Sequence, residues 1–533
     1  MADTIFKRTG SLLKFMIRRD RIRIPLWLVG ICFFTFVVPL AFDGLYGSQQ
    51  ERDVMAETME NPAMTAMVGP ADLSNYTLGV MTAHQMLLLT AVVVGLMSIL
   101  LVTRHTRGDE ESGRIEMIRS LPVGRLSNLN AALIVYTITN VMLALFIGLG
   151  LYALKIESMG LEGSLLYGVT LGATGIFFAG VTACFAQLSD SSRGTIGLSI
   201  AFLLIAYLVR GVGDVGNGAL SWISPLGWVT KTQIYGENNW WPILLMIGIS
   251  IILFMIANYL NSIRDLEAGF FPSKPGRKFA SAFLQGPMGL GFRLQRAGTI
   301  AWAIGMVVIG ASYGSVLGDL ESFFEGNELM VQMLAAEDGF SYTDQFLSMI
   351  VMVMAIIALI PPLMSMNKLY GEEKKGRIEH LLGRAVSRTR LMASFLLLSV
   401  VNGFVMLSLA AIGLWTAGTS VMEGGLEFRT IYGAALAYYP AIIVMISVAA
   451  LLIAYFPKLT SLIWLYVIYS FFVLYLGSLF QLSDWANRIT PLGHIPKLPV
   501  EEIAWMPLAI LIIIAVAVTI IGFIGYNKRD IET

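Results

Sequence analysis

The sequence has 533 residues, 56% of them apolar and 14% charged, and a mean hydropathy of +0.72. An average soluble domain is about 25% charged, so the composition excludes an ordinary soluble protein. The 36 basic and 36 acidic residues cancel, which points to no nucleic acid partner, and Cys32 and Cys184 lie in apolar runs with no disulfide or metal-ligand spacing.

Residues 1–23 mix basic side chains (Lys7, Arg8, Lys14, Arg18) with apolar ones (Leu12, Leu13, Phe15, Met16) and lack the cleavable pattern of a signal peptide. They read as an amphipathic helix at the membrane interface or as a plain basic topology anchor. Six apolar runs follow, at 24–42, 83–103, 130–154, 164–187, 195–211 and 242–262. Six more lie at 299–318, 346–366, 391–417, 431–455, 461–479 and 507–526. A run of about 20 residues can cross a bilayer, and there it must be helical because its backbone finds no water. The fold class is therefore all-α, a polytopic membrane protein with twelve transmembrane helices.

The outer loop 43–82 is polar, Met-rich and helical in its first part. Loops 212–241 and 480–506 carry Trp222, Trp228, Trp240, Trp241, Trp485 and Trp505, which read either as an aromatic belt or as re-entrant hairpins closing the outer exit. A cytoplasmic joint at 263–298 separates the first six-helix half, 24–262, from the second, 299–533. Both termini are placed in the cytoplasm, because this leaves only Arg52, Lys155, Arg210, Lys231, Arg429, Arg488 and Lys497 outside, of 36 Lys and Arg.

The halves repeat one another. GDEESGRIEMIRSLPVGR at 108–125 aligns without gaps on GEEKKGRIEHLLGRAVSR at 371–388, 263 residues later, with 8 identities in 18. PLG at 225–227 recurs at 491–493, and RDLE at 264–267 returns as RDIE at 529–532. Near the starts, Arg18, Arg21, Trp27 and Gly30 match Arg293, Arg296, Trp302 and Gly305. Six spans per half give both halves one orientation, so a pseudo-two-fold axis along the membrane normal is expected between two parallel repeats.

The charged islands fit a continuous amphipathic helix. Glu110 and Arg114, and again Glu373 and Arg377, are four apart and would pair on one face. Ile115 and Ile118, and again Ile378, Leu381 and Leu382, would form an apolar stripe free to enter a partner's pocket, with the charges setting register. Pro122 would stop the first helix, whereas Ala385 in the second would let it run on.

In this form the islands resemble the coupling-helix segment of type-2 ABC exporter permeases, E-x-x-x-G-x-x-E-x-L-x-x-x-P-x-x-R between spans 2 and 3 of a six-span unit. Glu116, Pro122 and Arg125 match it, as do Glu379 and Arg388, while Ala385 departs from it. The fused twelve-span length, Asn61-Pro62 and Gly69-Pro70 in the first outer loop, and the RDLEAG joint are similar to the branch of polyketide-antibiotic exporter permeases. The resemblance implies a permease with two copies of a separate cytoplasmic ABC ATPase, which would bind ATP and Mg and dock near 104–127 and 367–390. It implies ATPase-coupling roles for Glu110, Gly113, Arg114, Glu116, Pro122, Arg125, Glu373, Gly376, Arg377, Glu379 and Arg388. It also implies outward movement of a hydrophobic or amphiphilic compound (antibiotic, drug-like or lipid-like) across a bacterial cell membrane, with the segments before spans 1 and 7 as elbow helices.

The chain itself agrees with that division of labour. It has no G-x-x-x-x-G-K-[ST] phosphate loop, and no metal, cofactor or catalytic constellation is expected in it. His84, His105, His380 and His494 are scattered and read as incidental. The spans are nearly free of charge, which argues against a proton pathway and for a substrate met by apolar walls, with membrane lipids around them. Two alternatives stay open: a proton-coupled drug exporter of the major facilitator type, and a non-transporting membrane scaffold or sensor.

Overall fold

The computed structural model describes the chain apart from residues 1–4, 61, 217, 266–267, 272–277, 320–341, 384–385, 423–424, 478–481 and 531–533. It divides into two units, Met1–Pro275 and Gly276–Thr533. Among the described residues, 12 helices are long and apolar enough to cross a membrane. There is no β-strand among them, only an isolated bridge between Ser189 and Phe271.

The first unit begins with α1 (Thr9–Arg19), which buries Leu12 and Met16 and leaves Lys14, Phe15 and Arg18 exposed. The first span, α2 (Arg23–Leu45), is followed by α3 (Gln49–Met59) and α4 (Pro62–Val68) in the first long loop. A capping box starts α3: the Ser48 side chain accepts from the Glu51 N–H, and Glu51 accepts from the Ser48 N–H. Then come α5 (Leu78–His105), the short α6 (Arg107–Glu111) and α7 (Arg114–Arg119), and the spans α8 (Ser127–Ala153), α9 (Leu161–Leu188) and α10 (Ser192–Val215). The unit closes with α11 (Ala219–Ile223), α12 (Pro225–Thr230) and the sixth span, α13 (Trp241–Ile263).

Helices in lipid gain little from hydrophobic burial against one another, so close packing depends on small side chains. The tightest crossing here is α8 on α9. A Cβ at Gly168 would overlap the Ala144 carbonyl, and one at Gly172 would lie 2.8 Å from the Asn140 carbonyl. This seats α9 against α5 and α13 as well, at the centre of the unit's apolar core.

The second unit contains α14 (Pro287–Ser315), α15 (Tyr342–Ala358), α16 (Ile360–Glu373), α17 (Glu379–Leu382), α18 (Arg388–Val421), α19 (Phe428–Ala437), α20 (Tyr439–Tyr455), α21 (Leu462–Leu476), α22 (Asp484–Ile489) and α23 (Trp505–Lys528). Its closest crossing is α14 on α18. Cβ atoms at Gly310 and Gly413 would overlap the carbonyls of Ala410 and Val307. Asn61 and Ala385 lie outside the described residues.

The repeated PLG string has a steric reason. Pro225 opens α12, and a Cβ on Gly227 would strike the Ser221 carbonyl; a Cβ on Gly493 would strike the Asn487 carbonyl in the same way. Pro225, Leu226 and Gly227 are buried, as are Pro491 and Leu492, while Trp222 and Trp241 are exposed. Each half thus folds a short helical turn back on its own spans and needs glycine where the backbones meet.

Candidate functional site: the two GRIE turns

Each GRIE glycine breaks a helix. Gly113 has φ +70° and Gly376 has φ +67°, a left-handed backbone that a side chain strongly disfavours. The Gly113 N–H donates to the Glu110 carbonyl at 3.0 Å, and the Gly376 N–H to the Glu373 carbonyl at 2.8 Å. The expected continuous helix is therefore interrupted in each half, between Arg107–Glu111 and Arg114–Arg119 and between Ile360–Glu373 and Glu379–Leu382. The expected Glu110–Arg114 and Glu373–Arg377 pairs do not form, because the turn carries each arginine back to the preceding acid. Arg114 Nη1 lies 3.0 Å from Asp109 Oδ1, and Arg377 Nη1 lies 3.0 Å from Glu372 Oε2.

The freed glutamates serve as clamps. Glu110 accepts from Arg264 Nη2 at 2.8 Å and lies 3.0 Å from Arg107 Nη1; Glu373 accepts from Arg529. Arg125 Nη2 donates to the Arg264 carbonyl at 2.7 Å, and Arg388 Nη1 to the Arg529 carbonyl at 2.6 Å. Arg264 and Arg529 follow directly on α13 and α23, the sixth span of each unit. Each turn is thus tied at one side to the second span and at the other to the sixth, by the same three contacts.

The apolar stripe points inward. Ile115 is 6% exposed and Ile378 only 1%, and Ile118, Leu381 and Leu382 pack on the cores of their own units. The side chains offered to solvent are Glu116, Met117 and Leu121 in the first turn, Met117 being 64% exposed, and Glu379 and His380 in the second. The first helix stops at Arg119, ahead of Pro122. The second does not run on; it ends at Leu382 before Gly383.

The sequence reading missed a buried cluster in the first unit. Asp20 is fully buried; its Oδ2 lies 2.6 Å from His105 Nε2 and accepts from the Tyr136 hydroxyl at 2.8 Å. Burial works against the Asp20 charge, but the His105 and Tyr136 hydrogen bonds hold its carboxyl below the usual carboxylate range. On the other side of His105, Asp109 accepts from Arg19 Nη1 at 2.6 Å. His105 is therefore central, not incidental. A lone Asp20 inside the basic run Arg18–Arg23 was the available sequence cue. The chain before α1 also straps the loop beyond α7, since the Gly124 and Leu126 N–H groups donate to the Lys7 and Ile5 carbonyls at 3.0 and 3.2 Å.

At the opposite end of the unit, α10 buries Arg210 completely. Its Nη1 is 3.1 Å from Asp214 Oδ2, and its Nη2 donates to the Ala66 carbonyl at 2.6 Å. His84, also read as incidental, joins Tyr76 at 2.9 Å and the Gly69 carbonyl at 2.8 Å, pinning the same long loop. Beside it lies a cavity of about 180 Å³ lined by Val80, His84, Leu87, Asp72 and Glu237. No metal-binding group of three or more His, Cys, Asp or Glu occurs among the described residues.

Residues 10–260 and 284–527 match the protein family described as the C-terminal domain of the multidrug efflux system permease Rv1217c, one stretch in each unit. The multidrug efflux system permease protein Rv1217c of Mycobacterium tuberculosis strain H37Rv is 32% identical to the chain over 533 residues, covering 99% of this chain and 96% of the relative.

Proposed function

The chain belongs to the family of multidrug efflux permeases that includes Rv1217c, and from that premise we propose that it is the membrane permease of an ATP-driven exporter. Two copies of a separate ABC ATPase would dock on the GRIE turns, from the cytoplasm on the positive-inside reading. The observation that carries this reading is the duplicated clamp. Asp109 with Arg114, Glu110 with Arg264 and Arg125 with the Arg264 carbonyl are matched by Glu372 with Arg377, Glu373 with Arg529 and Arg388 with the Arg529 carbonyl. A short exposed turn held by buried ion pairs between two spans passes a push at Glu116 or Glu379 directly to those spans. ATP and Mg would be bound by the partner, and the cargo would be a hydrophobic or amphiphilic compound moved outward along apolar helices.

Two measurements test this. Purified chain free of partners is expected to hydrolyse ATP only at background. Glu116→Arg and Glu379→Arg, both on exposed turns, are expected to insert normally and to co-purify with the ATPase poorly, since reversal of a docking charge costs about 2–5 kcal/mol where the contact is desolvated. Wild-type recovery of the ATPase by both variants would remove the GRIE turns from the interface. The buried Asp20–His105–Asp109 cluster favours a second reading, a proton-coupled carrier. Transport that survives a protonophore and stops with vanadate would reject that second reading.

A further inference from the structure

At the GRIE end of the first unit a small cavity of about 30 Å³ opens between the ends of four spans. Arg107 opens α6 just beyond α5, Arg119 comes from α7, Arg125 from the loop before α8, and Arg264 directly follows α13. We propose that this pocket binds a phosphate group, carried by an anionic phospholipid headgroup or present as free phosphate.

The charge balance favours an anion. Four guanidinium groups line the cavity and Glu110 is the one carboxylate lining it, with Asp190 acting on Arg107 from nearby. Arg107 is 1% exposed and Arg264 is 8% exposed, yet Arg107 Nε and Arg264 Nε have no hydrogen-bond partner. A buried N–H donor left unmade is costly, and phosphate oxygens accept such donors in the planar geometry that arginine offers. Arg119 makes no ion pair among the described residues. Burial and the cations Arg125 and Arg264 push its guanidinium down, against the opposite pull of Glu110.

Depth narrows the occupant. The cavity has room for about two water-sized groups, enough for two charged oxygens of a phosphate whose remaining atoms stay at the mouth. Arg119 and Arg125 are its more exposed side chains and mark its mouth. Because α5, α8, α9 and α13 all end around it, the pocket sits at the boundary of the span-forming region, where basic pockets between membrane helices meet phosphates. Among the described residues the second unit does not repeat this set. Positions matching Arg107 and Arg119 are Tyr370 and Leu382, while Arg388 and Arg529 match Arg125 and Arg264. The proposal is therefore a site in the first unit.

The test uses full-length chain, stripped of co-purified lipid and held in phosphatidylcholine nanodiscs. Its thermal midpoint is followed while phosphatidylglycerol, further phosphatidylcholine or inorganic phosphate is added. Phosphatidylglycerol is expected to raise the midpoint with saturation, and phosphatidylcholine is not. Arg119→Leu, which copies the second half, is expected to weaken the apparent affinity about fivefold. Lys14→Gln removes a surface charge outside the pocket and is expected to leave the affinity unchanged. An equal Arg119-dependent shift with inorganic phosphate alone assigns the site to free phosphate. Arg119→Gln replaces the leucine variant if that one is not monodisperse. The proposal is overturned if no phosphate-bearing probe gives an Arg119-dependent shift, if Lys14→Gln weakens binding as much, or if the shift appears only with an ATPase subunit bound, which would make the occupant a protein carboxylate.

Discussion

In the first half the second span ends in His105, held between Asp20 and Asp109; in the second half Lys368 stands at the matching position, 3.0 Å from Glu372, and Gln295 takes the place of Asp20. Around these differences three clamp contacts recur at matching positions in the two halves. What both halves keep is the linkage between the GRIE turn and the second and sixth spans. What differs is how each half fixes the chain leading into its first span. The first half breaks this chain at Asp20, between α1 and α2, and ties it to His105 and Tyr136. The second runs it unbroken into α14, with Gln295 accepting a Ser365 hydroxyl. The clamp recurs in both halves, whereas the entry segment is fastened by different chemistry in each.

The largest test of that contrast removes the acid. Asp20→Ala leaves His105, Arg104 and the Tyr136 hydroxyl facing an empty buried site, and breaking such a cluster costs about 3–5 kcal/mol. Gln295→Ala, at the matching position, removes one neutral hydrogen bond and is expected to cost about 1 kcal/mol. Unfolding of both variants in mixed micelles measures the difference. Equal losses would mean that the two entry segments are fastened alike.

Packing gives the next contrast. Gly413 and Gly150 occupy matching positions, 263 residues apart. A Cβ at Gly413 would meet the Val307 carbonyl, which is backbone and cannot step aside, while one at Gly150 would meet the ring of Phe36, the far end of a flexible side chain. Gly413→Ala is expected to destabilise by about 1–3 kcal/mol and Gly150→Ala by less than about 1 kcal/mol. Reversal of that order in thermal unfolding would show that the α14–α18 crossing is not the tight one.

The twelve spans were legible in the sequence because a run of about 20 apolar residues has one solution in lipid. The duplicated islands were legible as a repeated structural element from their shared string. Their internal geometry was not, because Gly113 and Gly376 sit where the apolar spacing alone allows a helix to continue, and spacing carries no record of φ. The true partners are also far off in sequence: Arg264 lies 154 residues from Glu110, and His105 lies 85 from Asp20. Local rules could only pair Glu110 with the arginine four residues on. One cue was present, a glycine in both copies directly after a short acidic stretch, which suits a helix end better than a helix middle.

The smallest expected effect lies on the surfaces the turns show to a partner. Behind the shared glutamates Glu116 and Glu379, the first turn exposes Met117 and Leu121, whereas the second exposes His380 where Met117 would be. Two identical ATPase subunits would therefore meet an apolar knob at one turn and an imidazole at the other. Burying a largely exposed methionine contributes about 1 kcal/mol when it finds an apolar pocket. Met117→Ser is therefore expected to weaken ATPase attachment severalfold and His380→Ser to weaken it less, both read by titrating purified ATPase onto the permease in nanodiscs. Exchanging 108–125 with 371–388 moves both surfaces at once; it should preserve assembly and change the coupled ATPase rate. Wild-type attachment in both serine variants, together with a wild-type rate in the exchange, would show that the two turns are equivalent despite their different faces.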